Sequence, residues 1–412
     1  MTLMLTAILV ASWFFIWCFI IIGRYRNEIA SYWKEPVLKF PVLIFESDDW
    51  GAGPLIQFRS LARISSILSK YVDKYEHHPV MTIGVVLSVP DSEKIRQAEF
   101  KKYKEIRLDH PVFSPINKAL IDGLDQGVFD LQLHGMAHYW PDNLMRALVS
   151  DEQIRHWLDQ DKFPQTETLP SVLQSRWVNA EQLPTSPLSQ DEIDKAVDEE
   201  VGFFKQLFGF YPKVAVPPTF VWDLSVERSW KRHNIEYLVT PGQCFNGRDK
   251  EGKPNGARQK IVNGQLSDSG LIYMVRNDYF EPSLGHTSDM AINTLMKNTE
   301  LGQPTLLETH RFNFIQDDDA TKNAIAELEK VISGALAKYP ELMFLSTHEL
   351  ADKLASKNEN FIERSFGARL FVCMDRLWAN QSIKKWLYIS GLFVPLLLFL
   401  NVRKKTWNQR MY

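Results

Sequence analysis

The chain has 412 residues, 45% of them hydrophobic and 24% charged, which allows one large domain with a packed core and argues against global disorder. A net charge of −3 gives no basic surface of the kind that binds nucleic acid, so no nucleic-acid partner is expected. The three cysteines have no Cys-x-x-Cys spacing and predict neither a disulfide framework nor a zinc ribbon.

The chain begins with a long apolar segment. Residues 3–23 carry no charged side chain and end next to Arg24 and Arg26, and this length is sufficient to cross a bilayer. No basic region precedes the segment and no clear cleavage site follows it. We therefore expect residues 1–36 to form an uncleaved transmembrane anchor rather than a signal peptide.

Residues 37–355 read as one alternating β/α domain. Strand-like apolar runs occur at 41–47, 80–88, 129–134, 212–217, 236–240, 304–309 and 342–347. Stretches with helical periodicity lie between most of them, at 54–74, 115–127, 190–208, 222–234 and 317–338. Alternation of this kind predicts a parallel sheet, and about seven units favour its closure into a barrel.

Two segments interrupt this alternation. Residues 139–188 have no strand signal and follow a candidate site residue, His138. We expect them to overhang the mouth of the barrel as a lid or substrate wall, the alternative being a surface excursion. Residues 242–283 are expected to form a loop plus a hairpin on the same face.

The C-terminal part is predicted to return to the membrane. Residues 356–385 read as a linker containing an interfacial helix. Residues 386–402 are apolar, contain Pro395 and have basic residues on both flanks, so residues 386–412 are predicted to form a second transmembrane helix with a basic tail. A packed core helix is the alternative for this segment.

These features predict a protein of the cell membrane that crosses it twice. The Lys and Arg residues that flank the spans are only slightly asymmetric, and their bias favours a cytoplasmic domain. The side of the membrane on which the domain lies is left open.

Two short clusters carry the chemistry. Asp48 and Asp49 end the first apolar run, and His134 and His138 follow the third. Either cluster alone is also typical of an ordinary strand end, helix cap or solvated helix face. The carboxyl ends of parallel strands meet at one edge, so together they predict a three-ligand metal site with an open coordination position, as in catalytic zinc sites.

These motifs resemble the polysaccharide deacetylase superfamily, the NodB-like carbohydrate esterases of family 4. The resemblance covers roughly residues 37–355 and implies a distorted (β/α)7 barrel, here flanked by N- and C-terminal transmembrane helices. It implies that Asp48 is the general base and that Asp49, His134 and His138 bind one divalent metal, zinc above all. It also implies that His310, in Thr309-His310-Arg311, is the general acid, with His348 as a competitor one strand later.

The chain departs from the family pattern at two points. Gly135 stands where the second motif has a hydroxyl residue. The third motif has an Arg-x-Pro in which the Arg orients the base, whereas residues 214–218 contain no Arg. Arg276 is the candidate substitute, and a backbone N–H near residues 217–220 is the candidate oxyanion donor.

Further candidates were assigned around the mouth. The predicted substrate-binding residues are Trp140, Pro218, Arg276, Asn277 and Glu281. Glu308 lies two residues before His310 on the same strand face and is a candidate acidic neighbour for it; simple strand termination is the alternative.

The expected function is that of a metal-dependent hydrolase. It would remove acetyl groups from a carbon–nitrogen bond, or from an ester, of an acetylated glycan or a lipid-linked saccharide. One alternative is a non-catalytic glycan-binding or assembly module on a degenerate barrel. Another is a metal-dependent hydrolase of a different amide or ester.

Overall fold

A computed structural model describes residues 2–256, 260–398 and 400 of the chain. Its strands are β1 (Val42–Gly51), β2 (Met81–Val86), β3 (Ser88–Pro90), β4 (Glu105–Arg107), β5 (Phe129–Leu133), β6 (Val178–Asn179), β7 (Ser186–Pro187), β8 (Val214–Ala215), β9 (Tyr237–Thr240), β10 (Gly247–Arg248), β11 (Pro254–Asn255), β12 (Ile272–Val275), β13 (Asp278–Tyr279), β14 (Thr305–His310) and β15 (Met343–Phe344).

Helices alternate with these strands along most of the chain. They are α1 (Thr2–Arg24), α2 (Arg26–Lys34), α3 (Gln57–Leu68), α4 (Ser92–Gln97), α5 (Ser114–Asp125), α6 (Pro141–Ser150), α7 (Glu152–Gln160), α8 (Gln190–Phe208), α9 (Leu224–Arg232), α10 (Ser288–Glu300), α11 (Asp318–Lys338), α12 (Thr347–Ala355), α13 (Phe366–Ala379) and α14 (Gln381–Ser390). All seven predicted strands are present, which confirms an α/β fold.

The main sheet is parallel and curls into a distorted barrel. Its strands follow the order β12, β9, β8, β5, β2, β1, β14, β13, and β15 pairs with the start of β1. The first and last strands of this order, β12 and β13, are separated in the chain by Arg276 and Asn277 alone. Residues 272–279 therefore join both edges of the sheet, and the chain itself closes the barrel.

This closure corrects one expectation. Residues 272–279 do not form a hairpin, because β12 pairs in parallel with β9 and β13 pairs in parallel with β14. The remainder of the 242–283 insertion contains a short antiparallel ladder between β10 and β11. The alternating apolar pattern does correspond to extended chain, but the strands with which it pairs are distant in sequence.

Two apolar cores lie on the two faces of the sheet. On β1, Leu43 and Phe45 pack outward beneath the helices, whereas Val42 and Ile44 point into the barrel. Side chains alternate between faces along a strand, so Glu46 and Asp48 continue the inner row toward the carboxyl end. The barrel interior is thus apolar at its amino-terminal end and charged toward its mouth.

The amino-terminal end of the barrel is closed by α12. Leu350, Ala351 and Leu354 of this helix belong to the inner core. The helix begins with a capping box in which Ser346 and Glu349 bond each other's backbone N–H groups. His348 lies on this helix and therefore at the end of the barrel opposite to the mouth.

The 139–188 insertion folds over the mouth. It contains α6, α7 and a short ladder between β6 and β7. Glu167 of this insertion binds Arg311, directly after β14, and the Ser175 hydroxyl is 2.8 Å from the hydroxyl of Thr219, beyond the end of β8. Both contacts lie at carboxyl ends of barrel strands, and the role of the insertion as a lid or substrate wall stays a prediction.

The segment 386–402 does not form one continuous helix within the described residues. Helix α14 ends at Ser390, Gly391 takes a left-handed conformation at φ 75°, and a further helical stretch covers 393–398. The Trp13 indole N–H of α1 donates to the Ser390 carbonyl at 3.0 Å. Residues 399 and 401–412, which include the predicted basic tail, lie outside the described residues.

One described helix is long and apolar enough to cross a membrane. It covers Met4–Arg24, and 6% of its most hydrophobic window is buried against the rest of the chain. A second span is not found among the described residues. The domain boundaries at residues 36, 355 and 385 stay predictions.

Candidate active site

The end of β1 is irregular, and this irregularity aims two carboxylates. The pairing of β1 with β2 shifts register between Ser47 and Trp50, which marks a bulge at Asp48 and Asp49. Asp49 has a φ of 72°, in the left-handed region that Asp tolerates better than most residues. Bulges re-aim side chains next to functional sites, and here consecutive carboxylates both turn toward the mouth.

Asp49, His134 and His138 bring their donor atoms together. The Asp49 Oδ1 atom is 3.4 Å from His134 Nε2 and 3.2 Å from His138 Nε2, and all three side chains are buried. Donors bound tetrahedrally to zinc at about 2.0–2.1 Å are separated by roughly 3.3–3.4 Å. These spacings fit a shared divalent ion.

The hydrogen bonds around this group orient His134 and leave one carboxylate oxygen of Asp49 without a partner among the described residues. His134 Nδ1 lies 2.8 Å from the Val216 carbonyl, to which it donates, and this leaves Nε2 as a lone-pair donor facing Asp49. Asp49 Oδ1 is a buried oxygen without a hydrogen-bond partner among the described residues. A buried carboxylate oxygen in this state is expected where a cation is to bind.

The charge states of the three groups are compatible with such a role. Burial lowers the pKa of His138 to about 4, so this imidazole is neutral at pH 7. Burial also opposes the charged form of His134, but Asp48 and Asp49 outweigh it and raise the pKa of that imidazole. A cation beside Asp49 would therefore replace a proton on His134.

The loop between His134 and His138 is held in place by a side chain of α8. Glu200, fully buried, accepts from the Met136 backbone N–H at 3.1 Å and from Arg176 Nε at 3.2 Å. Gly135 has a φ of +93°, and a Cβ there would lie 3.0 Å from Arg176 Cδ. This explains why glycine replaces the hydroxyl residue expected in the second motif.

Arg276 binds Asp48 from the barrel interior. Its Nη1 and Nη2 atoms lie 2.5 and 2.8 Å from the two Asp48 carboxylate oxygens, a bidentate pairing. The same guanidinium is 2.9 Å from Glu46 and 3.7 Å from Glu308. Three buried carboxylates therefore surround one cation in the layer directly beneath the mouth.

The pKa values of these three carboxyls differ because burial and the charge of Arg276 act on each of them to a different extent. Burial acts to raise the pKa of Asp48, but Arg276 and the nearby histidines more than offset it and lower that pKa. For Glu46, burial outweighs Arg276 and raises the pKa to about 7. Burial likewise raises the pKa of Glu308. Of these three carboxyls, Asp48 is the one whose pKa is lowered, so it is ionised at neutral pH.

His310 ends β14 and is paired with Glu281. Its Nδ1 atom donates to Glu281 Oε1 at 2.6 Å, and the second Glu281 oxygen accepts from Asn313. Burial alone would lower the pKa of His310, but the Glu281 hydrogen bond and the charges of Asp49 and Asp48 raise it to about 10. This imidazole is therefore protonated at neutral pH and still 26% exposed.

The carboxylate of Glu281, a predicted substrate-binding residue, bonds His310 and Asn313, and its role in substrate binding stays a prediction. Glu308, the expected neighbour of His310, lies farther away, 3.7 Å from Nε2. His348 is not a competing acid, since α12 holds it at the opposite end of the barrel with its Nε2 atom 3.6 Å from Asp352.

Asn277 is a second correction. Its amide donates to the Pro304 carbonyl at 2.6 Å and its carbonyl accepts from the Leu306 backbone N–H at 3.1 Å. Both groups bond to β14 and its preceding loop, so Asn277 closes the barrel instead of lining the mouth. The competing demand for backbone hydrogen bonds at the seam explains the difference.

Trp140 and Pro218 lie near the mouth without a contact that assigns them to a substrate. Trp140 is half-buried and lines a cavity of about 560 Å³ together with Tyr103, Arg176 and Lys195. Pro218 is buried and opens a turn in which Thr219 and Phe220 both have a φ of 55°. Their role in substrate binding stays a prediction.

Sequence reasoning missed several residues that build the site. They are Glu46, Gln132, Glu167, Glu200 and Arg311. Gln132 donates to Glu46 at 2.7 Å, and Arg311 is held by the insertion through Glu167. One sequence feature could have identified Glu46 and Gln132, because each is a polar side chain in the inward-facing row of a strand whose other residues are mostly apolar.

Comparisons with known proteins give likenesses of structure alone. A comparison with models of protein families finds no match, and a comparison with curated protein sequences finds none. A putative polysaccharide deacetylase from Mycobacterium smegmatis is similar at a TM-score of 0.41 and 11% identity, over 79% of this chain and 94% of that one.

Two further solved structures extend this comparison. The peptidoglycan deacetylase PdaC from Bacillus subtilis is similar at a TM-score of 0.35 and 10% identity, over 79% of this chain and 95% of that one. A 4-alpha-glucanotransferase from Thermococcus litoralis is similar at a TM-score of 0.40 and 10% identity, over 92% of this chain and 48% of that one. Identities of this size do not transfer an activity, so the function proposed below rests on this chain's own side chains.

Proposed function

We propose that this protein is a metal-dependent deacetylase of an acetylated glycan, with the active site at the carboxyl end of the barrel. The observation that carries the proposal is the pairing of two arrangements. A three-donor cation site stands beside an ionised Asp48, and a protonated His310 stands in the same mouth. Acyl transfer to water needs these three elements: a polarised acyl group, a proton acceptor and a proton donor.

Asp49, His134 and His138 would hold the cation. The fit rests on their donor spacings of 3.2 and 3.4 Å and on the unpartnered Asp49 Oδ1 atom. A divalent ion such as zinc supplies Lewis-acid polarisation of the acyl oxygen and a more acidic water. Three protein donors leave a position open, which fits a catalytic site better than a structural one.

Asp48 would accept the proton of the attacking water. Arg276 keeps the pKa of Asp48 low and bonds both Asp48 carboxylate oxygens, so the base is ionised and oriented before substrate binds. Arg276 would thus orient the base, which is the role of the third-motif Arg in the family that the sequence resembles. The non-catalytic module loses its main support, because that hypothesis depended on the absence of such an arginine.

His310 would protonate the departing nitrogen. Glu281 accepts the His310 Nδ1–H at 2.6 Å, so the Nε2–H, whose nearest carboxylate oxygen is Glu308 Oε1 at 3.7 Å, is the proton that His310 would donate into the mouth. The turn at Pro218–Phe220 lies beside this space, and Phe220 packs against the Arg276 guanidinium at 5.8 Å. A backbone N–H of this turn is the candidate donor to the developing oxyanion.

The proposal includes a membrane anchor formed by α1 and acetylated glycans as the substrate class, with N-acetyl and O-acetyl groups both chemically accessible to this arrangement. The second span at 386–402 and the two-pass topology stay proposals that reporter fusions at both ends would test. Fusions in opposite compartments are expected for one span, and fusions in the same compartment for two.

The full chain, purified in detergent, would be assayed for metal content and for acetate release from acetylated saccharides. We expect one divalent ion per chain, with Asp49→Asn losing both ion and turnover. The matched variant Asp48→Asn should keep the ion and lose turnover by about 10²–10⁴-fold, because only the proton acceptor is removed.

Two results would contradict the proposal. Absence of a bound ion in the full chain, with no acetate released, would favour the binding module. A bound ion with release of another acid or amine from amide and ester substrates, and none of acetate, would favour a different metal-dependent hydrolase.

A further inference from the structure

Among the described residues, α2 and α13 meet the barrel at the amino-terminal ends of β1 and β14, and the Tyr32 ring of α2 also lies 4.8 Å from the Lys260 ammonium of the 242–283 insertion. Arg376 of α13 is buried at this junction and donates to the backbone carbonyls of Tyr32, Glu35, Pro36, Leu301 and Gly302. Its Nη1 atom also pairs with the Glu35 carboxylate at 3.3 Å. Leu301 and Gly302 precede β14, so this contact lies at the amino-terminal end of the barrel.

Other contacts at the junction agree with this position. The Leu38 N–H donates to the Gly302 carbonyl at 2.9 Å, and Leu38 pairs with Ile362 just before β1 begins. Lys39 Nζ donates to the Glu359 carbonyl at 2.7 Å, in the segment that follows α12. The start of β1, the loop before β14 and the end of α12 thus form one surface.

Helix α1 is joined to this junction, contacts the C-terminal helices through Trp13 and Trp17, and is exposed along most of its remaining surface. Ile21 and Tyr25 pack with Tyr32, Cys373 and Ile383 in a separate apolar cluster. Along the rest of the helix, large apolar side chains are exposed, among them Phe15 at 69% and Phe19 at 80%. An exposed apolar surface of this length fits the hydrocarbon of a bilayer.

The candidate active site lies at the other end of the barrel. Asp48 and His310 stand at the carboxyl ends of β1 and β14, whose amino-terminal ends meet the junction, and His134 follows the carboxyl end of β5. The six residues of β14 span roughly 17–20 Å, and one layer of helices adds about 10 Å. The polar headgroup layer of a leaflet is only on the order of 5–8 Å deep.

We propose that the substrate is a glycan presented in water at a distance from the membrane that holds α1, such as a soluble or polymeric acetylated saccharide. This inference rests on the proposed deacetylase function and on entry of α1 into a bilayer. It excludes a sugar attached directly to a lipid headgroup in that same membrane. Of the two substrate classes expected from the sequence, the lipid-linked saccharide is therefore the less favoured one.

The geometry is tested without any activity. The full chain in a Cys18→Ser background would carry a fluorophore at Ser171→Cys, in the insertion over the mouth, or at Ser356→Cys, beside the anchor junction. Both serines are exposed, and Cys244 and Cys373 are buried. In lipid vesicles, quencher lipids should quench the label at 356 severalfold more than the label at 171.

The substrate class is tested with one saccharide in three presentations. The full chain in vesicles would receive a soluble acetylated oligosaccharide, the same acetylated sugar on a lipid in the same vesicle, or that lipid in detergent with detergent-solubilised protein. We expect acetate from the first and third and at least about tenfold less from the second. Equal rates on the vesicle-bound lipid, or stronger quenching at 171, would overturn the inference.

The failure of the proposed function has a different signature. If no acetate is released in any presentation while the quenching order holds, the deacetylase function fails and the anchor geometry stands. The substrate inference then falls together with the function on which it rests.

Discussion

Replacing Arg276 with methionine tests the arrangement on which the proposed chemistry depends. The substitution keeps a long side chain but removes the cation that lies between Asp48, Glu46 and Glu308. The guanidinium is 1% exposed and lies 2.5–2.8 Å from both Asp48 oxygens, so solvent cannot replace it.

The magnitude follows from these contacts. An arginine beside an aspartate lowers the carboxyl pKa by about 1–3 pH units, and burial acts in the opposite direction. Without Arg276, only the nearby histidines oppose the effect of burial, so the pKa of Asp48 should rise. The acid limb of the pH–rate profile should therefore move to higher pH by at least roughly 1–3 units. Breaking a buried pair from one side also costs about 3–5 kcal/mol of stability, and proton uptake by Glu46 reduces this.

The assay is the pH dependence of acetate release, measured on protein shown to be folded at each pH. Arg376→Met is the matched control, because Arg376 is also buried and paired with a carboxylate but lies at the anchor junction. We expect this control to lose stability while its acid limb stays in place.

One result would refute the reasoning. If Arg276→Met lowers the rate by the same factor at every pH, with an unmoved acid limb, then Arg276 does not set the ionisation of Asp48. Its role would be confined to packing.

Three further predictions follow from the same site. Glu281→Gln removes a partner that raises the pKa of His310, so the basic limb of the pH–rate profile should move to lower pH. An unchanged basic limb would show that Glu281 does not set the pKa of the general acid. Glu46 has a pKa raised from 4.5 to about 7, so it stabilises the fold below pH 4.5 and this contribution, roughly 3 kcal/mol, is lost as pH rises through 7. Denaturant unfolding of Glu46→Gln should accordingly show a weaker loss of stability between pH 5 and 8 than the natural chain, and an identical loss would contradict the assignment. In Gly84→Ala the new Cβ would lie 2.4 Å from Asp48 Oδ1, so turnover should fall while metal content, measured in parallel, stays at one ion per chain.

Much of the fold was accessible from local patterns. The apolar run at 41–47 predicted a strand that is buried on both faces, because burial of this kind requires continuous apolar sequence. The run at 129–134 predicted a second strand by its alternation of apolar and polar residues. The polar residues that end these runs, Asp48 and His134, could be assigned to one edge, since parallel strands end together. The long apolar segment at 3–23 likewise predicted its helix from length and composition alone.

The errors share one physical cause. Residues 272–279 alternate like a hairpin, but their hydrogen-bond partners lie far away in sequence. Ile272 pairs with Tyr237 of β9, 35 residues earlier, and Asp278 pairs with Leu307 of β14, 29 residues later. Alternation reports which faces of a strand are covered and carries no information on which strand covers them. Asn277 was assigned to the mouth for this reason, although its amide closes the barrel seam.

What the sequence alone determined is the identity of the site's chemical groups, because strand ends and motif spacing are local properties of the chain. Tertiary structure decided how these groups are charged and what faces them. Arg276 reaches Asp48 across 228 residues only because the sheet closes on itself, and Glu281 reaches His310 because β13 pairs with β14. The direction of the mouth relative to the anchor has the same origin. Barrel closure brings the amino-terminal ends of β1 and β14 to the helix that contains Arg376. The candidate active site lies at the carboxyl ends of the same strands.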